Sequence, residues 1–361
     1  MTGPSTGAPR GGEGPAAGRP GPAPRPAPTM ADVAERAGVS TMTVSRALKG
    51  GGTVSEATRL RIVEAVDELG YVLDQTAGTL SSRRSGFVAV LIPSLNNSNF
   101  SDTVGGLARR LEASGLQMLL GATGYDRQRE EELVATLLRR RPEGIVVTGG
   151  SHTERARRVL ASAGIPVVEM WDLPRQPIGH VVGFSNAAAA AAMVHHLHGR
   201  GYRAIGYIGG STDRDTRGLD RRRGYEQAVR DLGLPQGLTV ACGDPPISME
   251  QGGEAVVRLL GRHPEVDAVV CVSDLSAFGA LAECQRRGWP VPGRLAIAGF
   301  GDFEVSRCCH PRLTTISVDA PGIGEAAGGL LLRAITAGRG GAAMFPETLR
   351  LPFAILERET T

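Results

Sequence analysis

The stretch MADVAERAGVSTMTVSRALKGGGTVSEATRLRIVEAVDELGY, residues 30–71, decides the fold of the first part of the chain. It holds three short amphipathic patterns, each preceded by a residue suited to cap a helix: Thr29, Ser40 and Ser55. Gly38 and Gly70 end the first and third patterns, because glycine accommodates the left-handed turn after a helix. We therefore predict three helices, the first two joined by a tight turn at residues 37–39.

Apolar positions within these patterns predict the core of the three-helix head. Successive turns of a helix bring residues three and four apart onto one face. The side chains expected to point inward are Val33, Ala34, Ala37, Val44, Ala47, Leu48, Leu60, Ile62, Val63, Val66 and Leu69. A head of this size would bury a small core of its own.

Two short helices around a glycine turn are typical of a helix-turn-helix, which lays its second helix in the major groove of DNA. The candidate DNA-binding residues start this helix: Thr41, Met42, Thr43, Ser45 and Arg46. Arg46 can make two hydrogen bonds to one guanine, and hydroxyl groups suit phosphates. Residues 30–85 hold seven basic and seven acidic side chains. Net charge therefore does not distinguish a DNA-binding head from an ordinary helical hairpin.

From Phe87 onward, short β-branched runs alternate with helical patterns. The candidate strands are 87–93, 116–122, 144–148, 166–170, 204–210, 268–273 and 295–300, with LRLPFAIL (349–356) as the last. Helical patterns lie between them, for example at 127–140, 153–163 and 186–199. Apolar strands alternating with helices predict parallel sheets covered on both faces, hence a doubly wound α/β fold. The span is long enough for two lobes.

Composition bounds the remaining possibilities. The chain has 361 residues, 41% of them hydrophobic, and a formal net charge of +3. Residues 1–28 are rich in Pro, Gly and Ala without an aromatic side chain, which predicts a disordered tail. Five cysteines without CxxC spacing argue against disulfides or a zinc site and favour a reducing cytoplasm. We expect no membrane association, since no apolar run reaches about 18 residues.

No constellation of residues indicates catalysis. His195, His196 and His198 cluster on one predicted helix, but no other ligand motif accompanies them. GFSNA (183–187) lacks the second glycine of a nucleophile elbow, and GYIGGS (206–211) is not followed by Gly-Lys-Ser/Thr. We expect no enzyme, no metal site and no cofactor. A sugar-transport protein would need a signal peptide and no DNA-binding head, so that interpretation also fails.

The string at 30–71 resembles the head of the lactose-repressor family. Other strings fit the same family: VAVLIPSLNNSNF (88–100), AGIPVVEM (163–170), GYEQA (224–228), SDLSAFG (273–279), VPGRLAIAGF (291–300) and PRLTTI (311–316). The resemblance implies a helix-turn-helix head at 29–72 and a hinge at 73–85. It implies a two-lobed effector-binding and dimerisation domain at 86–361, with parallel sheets like those of periplasmic binding proteins. The protein would then be a DNA-binding transcriptional regulator.

The resemblance also assigns roles in DNA binding. Thr41 and Met42 match the positions that choose bases, and Arg46 matches the family's base-contacting arginine. The hinge would become helical on the operator, with Leu80 as the minor-groove wedge and Ala77 facing the partner hinge. Many members have Pro and Asn where this chain has Leu73 and Asp74. An acidic residue near phosphates would weaken hinge docking.

A small-molecule effector is implied as well. The residues that match the family's cleft positions are Asn99, Phe100, Asp172, Asn186, Arg221 and Asp274. Arg221 matches the effector-contacting arginine, and Asp274 opens a helix where a carboxylate can accept two hydroxyl protons. TMTVSR, AGIPVVE, VGFSN, ECQRRG and VPGRLAIAGF most resemble the gluconate-utilisation repressor branch. We expect a sugar or sugar acid such as gluconate, with a neutral sugar, a nucleoside or corepression left open.

The expected assembly is a homodimer on a two-fold-related operator. The chain ends soon after its last predicted strand without a leucine-heptad tail, which favours a dimer over a tetramer. Repression relieved by the effector is the favoured direction of response.

Overall fold

The computed structural model describes residues 27–48, 54–73, 85–210, 212–342 and 344–361, together with Gly3. It divides into two compact units, Met1–Ser81 and Ser82–Thr361. Most of the predicted tail and hinge, including Ala77 and Leu80, lies outside the described residues.

The described residues of the first unit form three helices: α1 (Met30–Ala37), α2 (Thr41–Leu48) and α3 (Glu56–Leu69). Thr29 and Asp32 make a reciprocal capping box at the start of α1, which satisfies amide groups that have no partner within the helix. Gly38 follows α1 with φ 65°, in the left-handed region. This turn leads into α2, whose Thr43 amide donates to Ser40 Oγ at 3.2 Å. The sequence prediction of three capped helices is confirmed.

The core of this unit differs from the prediction in its third helix. Val33, Val44 and Ile62 are completely buried, as expected. Leu60 and Val63, however, are 61% and 44% exposed, so their prediction as core residues is wrong. The helical repeat puts Ile62 and Ala65 on the inner face, whereas Val63 falls to one side of it and Leu60 lies on the opposite face.

Helices and strands alternate through the second unit. The strands are β1 (Phe87–Ile92), β2 (Gln117–Ala122), β3 (Ile145–Thr148), β4 (Val167–Met170), β5 (His180–Gly183), β6 (Ile205–Gly209), β7 (Thr239–Ala241), β8 (Ala268–Cys271), β9 (Ala296–Phe300), β10 (Thr314–Val318), β11 (Thr348–Arg350) and β12 (Phe353–Leu356). The helices are α4 (Ser98–Glu112), α5 (Arg127–Leu138), α6 (Glu154–Ala161), α7 (Asn186–Gly199), α8 (Thr216–Asp231), α9 (Met249–Arg262), α10 (Asp274–Arg286), α11 (Glu304–Cys308) and α12 (Ala320–Arg339).

These elements form two lobes, each around a six-stranded sheet. The first lobe has the strand order β11-β5-β4-β3-β1-β2, and the second has β12-β10-β9-β8-β6-β7. Every pairing is parallel except that of β10 with β12. The chain passes between the lobes after β5, after β10 and between β11 and β12. All three crossings therefore lie toward the same end of the two sheets, where the hinge between the lobes must be.

Some strand predictions need correction. LRLPFAIL is two strands rather than one, because β11 joins the first sheet and β12 joins the second, with Pro352 between them. β5, β7 and β10 were not among the predicted strands. β2 is an edge strand and not covered on both faces, since Leu119 and Leu120 are exposed. Among the described helices, none has the length and apolar character needed to cross a membrane.

A buried charge cluster anchors the loop after β3 within the first lobe. His152 Nδ1 lies 2.5 Å from Glu130 Oε1 on α5, and its Nε2 lies 3.5 Å from Glu169 Oε1 on β4. Burial alone would lower the pKa of His152, but the two carboxylates outweigh it and raise this pKa to about 9. Glu169 Oε2 also accepts the Ile178 amide at 2.6 Å. The imidazolium thus ties three segments of the lobe together.

We expect the second unit to lose stability as the pH rises above 6.5. Because the folded pKa is raised, the stabilisation is complete below pH 6.5 and is lost as the pH approaches 9. The free energy of unfolding should fall by about 2–3 kcal/mol between pH 6.5 and 8.5. Denaturant titration followed by tryptophan fluorescence measures this unit alone, since Trp171 and Trp289 both lie in it. His152→Gln should remove this slope, and an equally steep slope in the variant would contradict the assignment.

Candidate DNA-recognition and effector sites

The exposed face of α2 carries three of the five predicted DNA-binding residues. Thr41, Met42 and Arg46 are exposed, and Met42 is 62% exposed despite its apolar side chain. Thr43 and Ser45 are partly buried, and the Thr43 hydroxyl lies 2.9 Å from Ser40 Oγ in the helix cap. The structure therefore presents Thr41, Met42 and Arg46 together and places the other two nearer the body of the head.

The end of α2 is held by α3. Arg59 Nη1 on α3 donates to the Ala47 carbonyl at 3.2 Å, which satisfies one of the last carbonyls of the helix. A second pair, Arg36 with Glu68, joins α1 to α3 at 2.5 Å. The helix that carries Arg46 is thus fixed against a small scaffold, as a base-reading helix requires.

A cavity lies between the two lobes at the carboxyl ends of their strands, with an empty volume of about 620 Å³. This volume includes open solvent, and the part that the centre of a water-sized sphere can enter is about 50 Å³. Asn99 and Phe100, in the first turn of α4, line it from the first lobe. Arg217 and Arg221 on α8 line it from the second. Strand ends are where ligands bind in open α/β sheets.

A row of aromatic rings runs along the base of the cleft. Adjacent ring centroids are separated by 6.4, 5.3, 5.9 and 6.1 Å, in the order Tyr125, Phe100, Trp171, Phe184 and Phe300. Phe184 belongs to the first lobe and Phe300 to the second, so the row crosses between the lobes at this pair. Such rings supply a rigid apolar floor against which the C–H groups of a ligand can pack.

Arg217 is a buried cation at this floor. Its side chain reaches the first lobe, with Cζ 5.5 Å from the Phe100 centroid and 5.9 Å from that of Tyr125, and the residue is only 5% exposed. Among the described residues, its guanidinium has neither a carboxylate within ion-pair distance nor a hydrogen-bond acceptor. Gly149 lets it approach, since a Cβ there would lie 2.8 Å from Arg217 Nη1. Because its nitrogens line the cavity and keep some accessible surface, this cation is a candidate ligand contact.

Arg221 is held by protein contacts on two sides. Its Nε donates to Asn186 Oδ1 at 3.0 Å and its Nη1 to the Val272 carbonyl at 2.7 Å. Cζ lies 3.7 Å from the centroid of Phe300, which stacks beneath it. Asn186 in turn donates from Nδ2 to the Trp171 carbonyl at 3.1 Å. Asn186 is therefore buried behind Arg221 and orients it without lining the cavity.

Charge on the cavity wall is net positive. Asp215 also lines it, but one carboxylate oxygen accepts the Gly218 amide at 3.0 Å and caps α8. Two guanidinium groups thus face the cavity beside a single carboxylate that is already engaged. Asn96 and Asn97 add neutral polar groups on the first lobe. The wall suits an anion that also carries hydroxyl groups.

Besides Asn186, two more of the six predicted effector residues lie outside the cavity wall. Asp274 is completely buried, where its oxygens accept the Thr315 hydroxyl at 2.6 Å and the Phe303 amide at 2.7 Å. Burial raises the pKa of Asp274 to about 6. Asp172 is half-buried, and its Oδ1 accepts the Leu173 amide at 2.8 Å. Asp274 thus positions the loop whose Phe303 lines the cavity.

Most of the cavity residues were not predicted from the sequence, and three of them supply prominent aromatic or cationic groups. Tyr125 follows β2, Trp171 follows β4 and Arg217 opens α8 after β6. Each comes soon after the carboxyl end of a strand, and the rule that ligands bind there could have found all three. Arg217 was overlooked because it lies in a run rich in arginine, where no single side chain stands out.

Known proteins match both units. Residues 29–74 match the family described as bacterial regulatory proteins, lacI family, and residues 194–361 match a periplasmic binding protein-like domain. The HTH-type transcriptional regulator GntR of Pseudomonas aeruginosa is 39% identical over 335 residues, which cover 92% of this chain and 96% of that protein. This chain belongs to the LacI family. It is a DNA-binding transcriptional regulator and not an enzyme.

Solved structures agree with this membership. A LacI family regulator from Silicibacter pomeroyi has a TM-score of 0.85 at 33% identity, covering 92% of this chain and 98% of that one. The lac repressor dimer bound to operator and the anti-inducer ONPF has a TM-score of 0.77 at 25% identity, covering 92% and 98%. The helix-turn-helix head and two-lobed parallel fold of this LacI-family regulator are therefore confirmed.

Proposed function

We propose that this regulator binds a sugar acid, gluconate or a close relative, in the cleft, and that binding changes its affinity for operator DNA. The observation that carries the proposal is Arg217, a buried guanidinium with no anionic partner among the described residues. A ligand carboxylate would accept two parallel hydrogen bonds from it. The resemblance to gluconate-utilisation repressors independently favours the same ligand.

A neutral sugar fits this wall less well. Its hydroxyl groups could bond to the asparagines, but they would leave the Arg217 charge buried without a counter-charge. A nucleoside also carries no negative charge and would leave Arg217 without a counter-charge. Arg221 supports the anion as well, because Nε and Nη1 are engaged while no described residue bonds to Nη2.

On the DNA side, we assign operator contacts to the exposed face of α2. Thr41, Met42 and Arg46 would meet base edges, and Thr43 and Ser45 would approach the phosphates. We assign DNA binding to residues 29–72 and effector binding with dimerisation to residues 86–361. The proposed hinge, 73–85, would place Leu80 in the minor groove.

We further propose a homodimer that represses transcription in the bacterial cytoplasm, where its DNA is. Leu119 and Leu120 are exposed on the edge strand β2, where an unpaired apolar edge suits a second copy. The similar lac repressor structure is a dimer on its operator. Release by the effector is the direction that we propose.

Calorimetric titration with gluconate and glucose tests the choice of ligand. The two compounds have six carbon atoms each, but gluconate is an open-chain carboxylate and glucose is a neutral ring. We expect gluconate to bind about 10- to 100-fold more tightly, because glucose leaves Arg217 unpaired. Equal affinities would favour a neutral-sugar effector, and no binding of either would contradict a sugar-acid effector of this kind.

A further inference from the structure

Two contacts join the lobes at the mouth of the cleft. Arg127, the first residue of α5 in the first lobe, donates from Nη2 to Asp213 Oδ2 of the second lobe at 2.6 Å. Beside it, Arg214 Nη2 of the second lobe donates to the Gly124 carbonyl of the first at 3.1 Å. We name these four residues the interlobe clasp. None of them lines the cavity.

The clasp lies far from the hinge between the two lobes. The three chain crossings involve β5, β10, β11 and β12, at one end of the two sheets. The clasp loops follow β2 and β6, which lie at the opposite end of the sheet orders. A contact at that end resists opening with the longest lever arm. It therefore influences closure more than a contact of equal strength beside the hinge would.

Local structure holds both halves of the clasp in place. Asp126 caps α5 by accepting the amides of Gln128 and Arg129, which fixes the start of the helix that carries Arg127. Arg214 also lies 3.6 Å from Asp244 of its own lobe. Tyr125, directly between Gly124 and this cap, contributes its ring to the cavity. The clasp is therefore adjacent in sequence to Tyr125, which lines the cavity.

We propose that the interlobe clasp holds the cleft closed and so sets effector affinity without selecting the effector. In the closed form, Trp171 is only 2% exposed at the cavity floor. Opening would admit solvent to that ring. The part of this inference that concerns the effector rests on the proposed function, whereas the part that concerns closure does not.

Acrylamide quenching of Trp171 tests closure without any effector. A Trp289→Phe background leaves Trp171 as the only tryptophan. Asp213→Arg should raise the quenching constant about twofold, because like charges push the lobes apart. Adding Arg127→Glu should restore the original value through a reversed pair. Asp231→Arg is the matched control, since Asp231 is exposed at the end of α8 and bonds only to Gln227 among the described residues.

Gluconate titration of the same variants adds the second readout. Asp213→Arg should weaken binding about three- to fivefold, with the preference for gluconate over glucose unchanged. Quenching that is equal in all variants, or that rises without rescue by the reversed pair, would overturn the clasp. If the unmodified protein binds no gluconate, the proposed effector fails, and the quenching result still decides whether the clasp controls closure.

Discussion

Replacing Arg217 with glutamine is expected to weaken gluconate binding by about 100-fold. The variant loses a charge-assisted, two-pronged contact and leaves the ligand carboxylate in a poorly solvated cleft, which costs about 2–3 kcal/mol. Calorimetry measures the loss directly. Arg217→Lys keeps the charge but not the planar fork, so it should recover only part of the affinity.

Two further observations separate a ligand contact from a structural role. The free energy of unfolding of the effector-free Arg217→Gln protein should stay within about 1 kcal/mol of the original, because no described residue accepts a hydrogen bond from the guanidinium and only its contacts with the Phe100 and Tyr125 rings are lost. Arg222→Gln is the matched control, since Arg222 lies on the same helix and pairs with Glu226 at 2.8 Å. Gluconate affinity within threefold of the original in Arg217→Gln would contradict the assignment.

The second large effect is expected at Arg46. Arg46→Ala should weaken operator binding by about 1–3 kcal/mol and relax the preference at one base pair. The side chain is exposed on α2 and has no ion-pair partner among the described residues, so it is free to reach a base. Selection from randomised DNA, followed by affinity measurement at fixed salt, gives both quantities.

Arg61→Ala is the control for charge alone. Arg61 is exposed on α3 of the same head, and its loss removes the same charge without touching the recognition helix. It should weaken specific and nonspecific DNA binding to a similar small extent. If Arg46→Ala behaves in the same way as Arg61→Ala, Arg46 contacts only phosphates.

The local signals in the sequence predicted the head well. Capping residues and glycines have their effect within one helical turn, so Thr29, Gly38 and Ser55 marked helix ends correctly. Leu60 and Val63 were misplaced because they are three residues apart and share a helix face with each other, and spacing alone does not say which apolar face of α3 meets the core.

The cleft was harder to predict because its residues meet only after folding. Arg221 and Phe100 reach the cavity wall as expected, but the signal for them was a family resemblance and not a local pattern. Asp274 looked like a ligand contact, yet its oxygens are engaged by Thr315 and Phe303, which are remote in sequence. Arg217 became visible only through its approach to Phe100 of the other lobe.

The central claim is that a sugar acid in the cleft controls DNA binding by the head. The measurement that tests it most directly is the affinity for DNA upstream of the protein's own gene, at fixed salt, with and without saturating gluconate. We predict that gluconate weakens specific binding by about 1–3 kcal/mol, while glucose has little effect and Arg217→Gln binds DNA without responding. Specific binding that is unchanged by gluconate in the original protein would contradict the account.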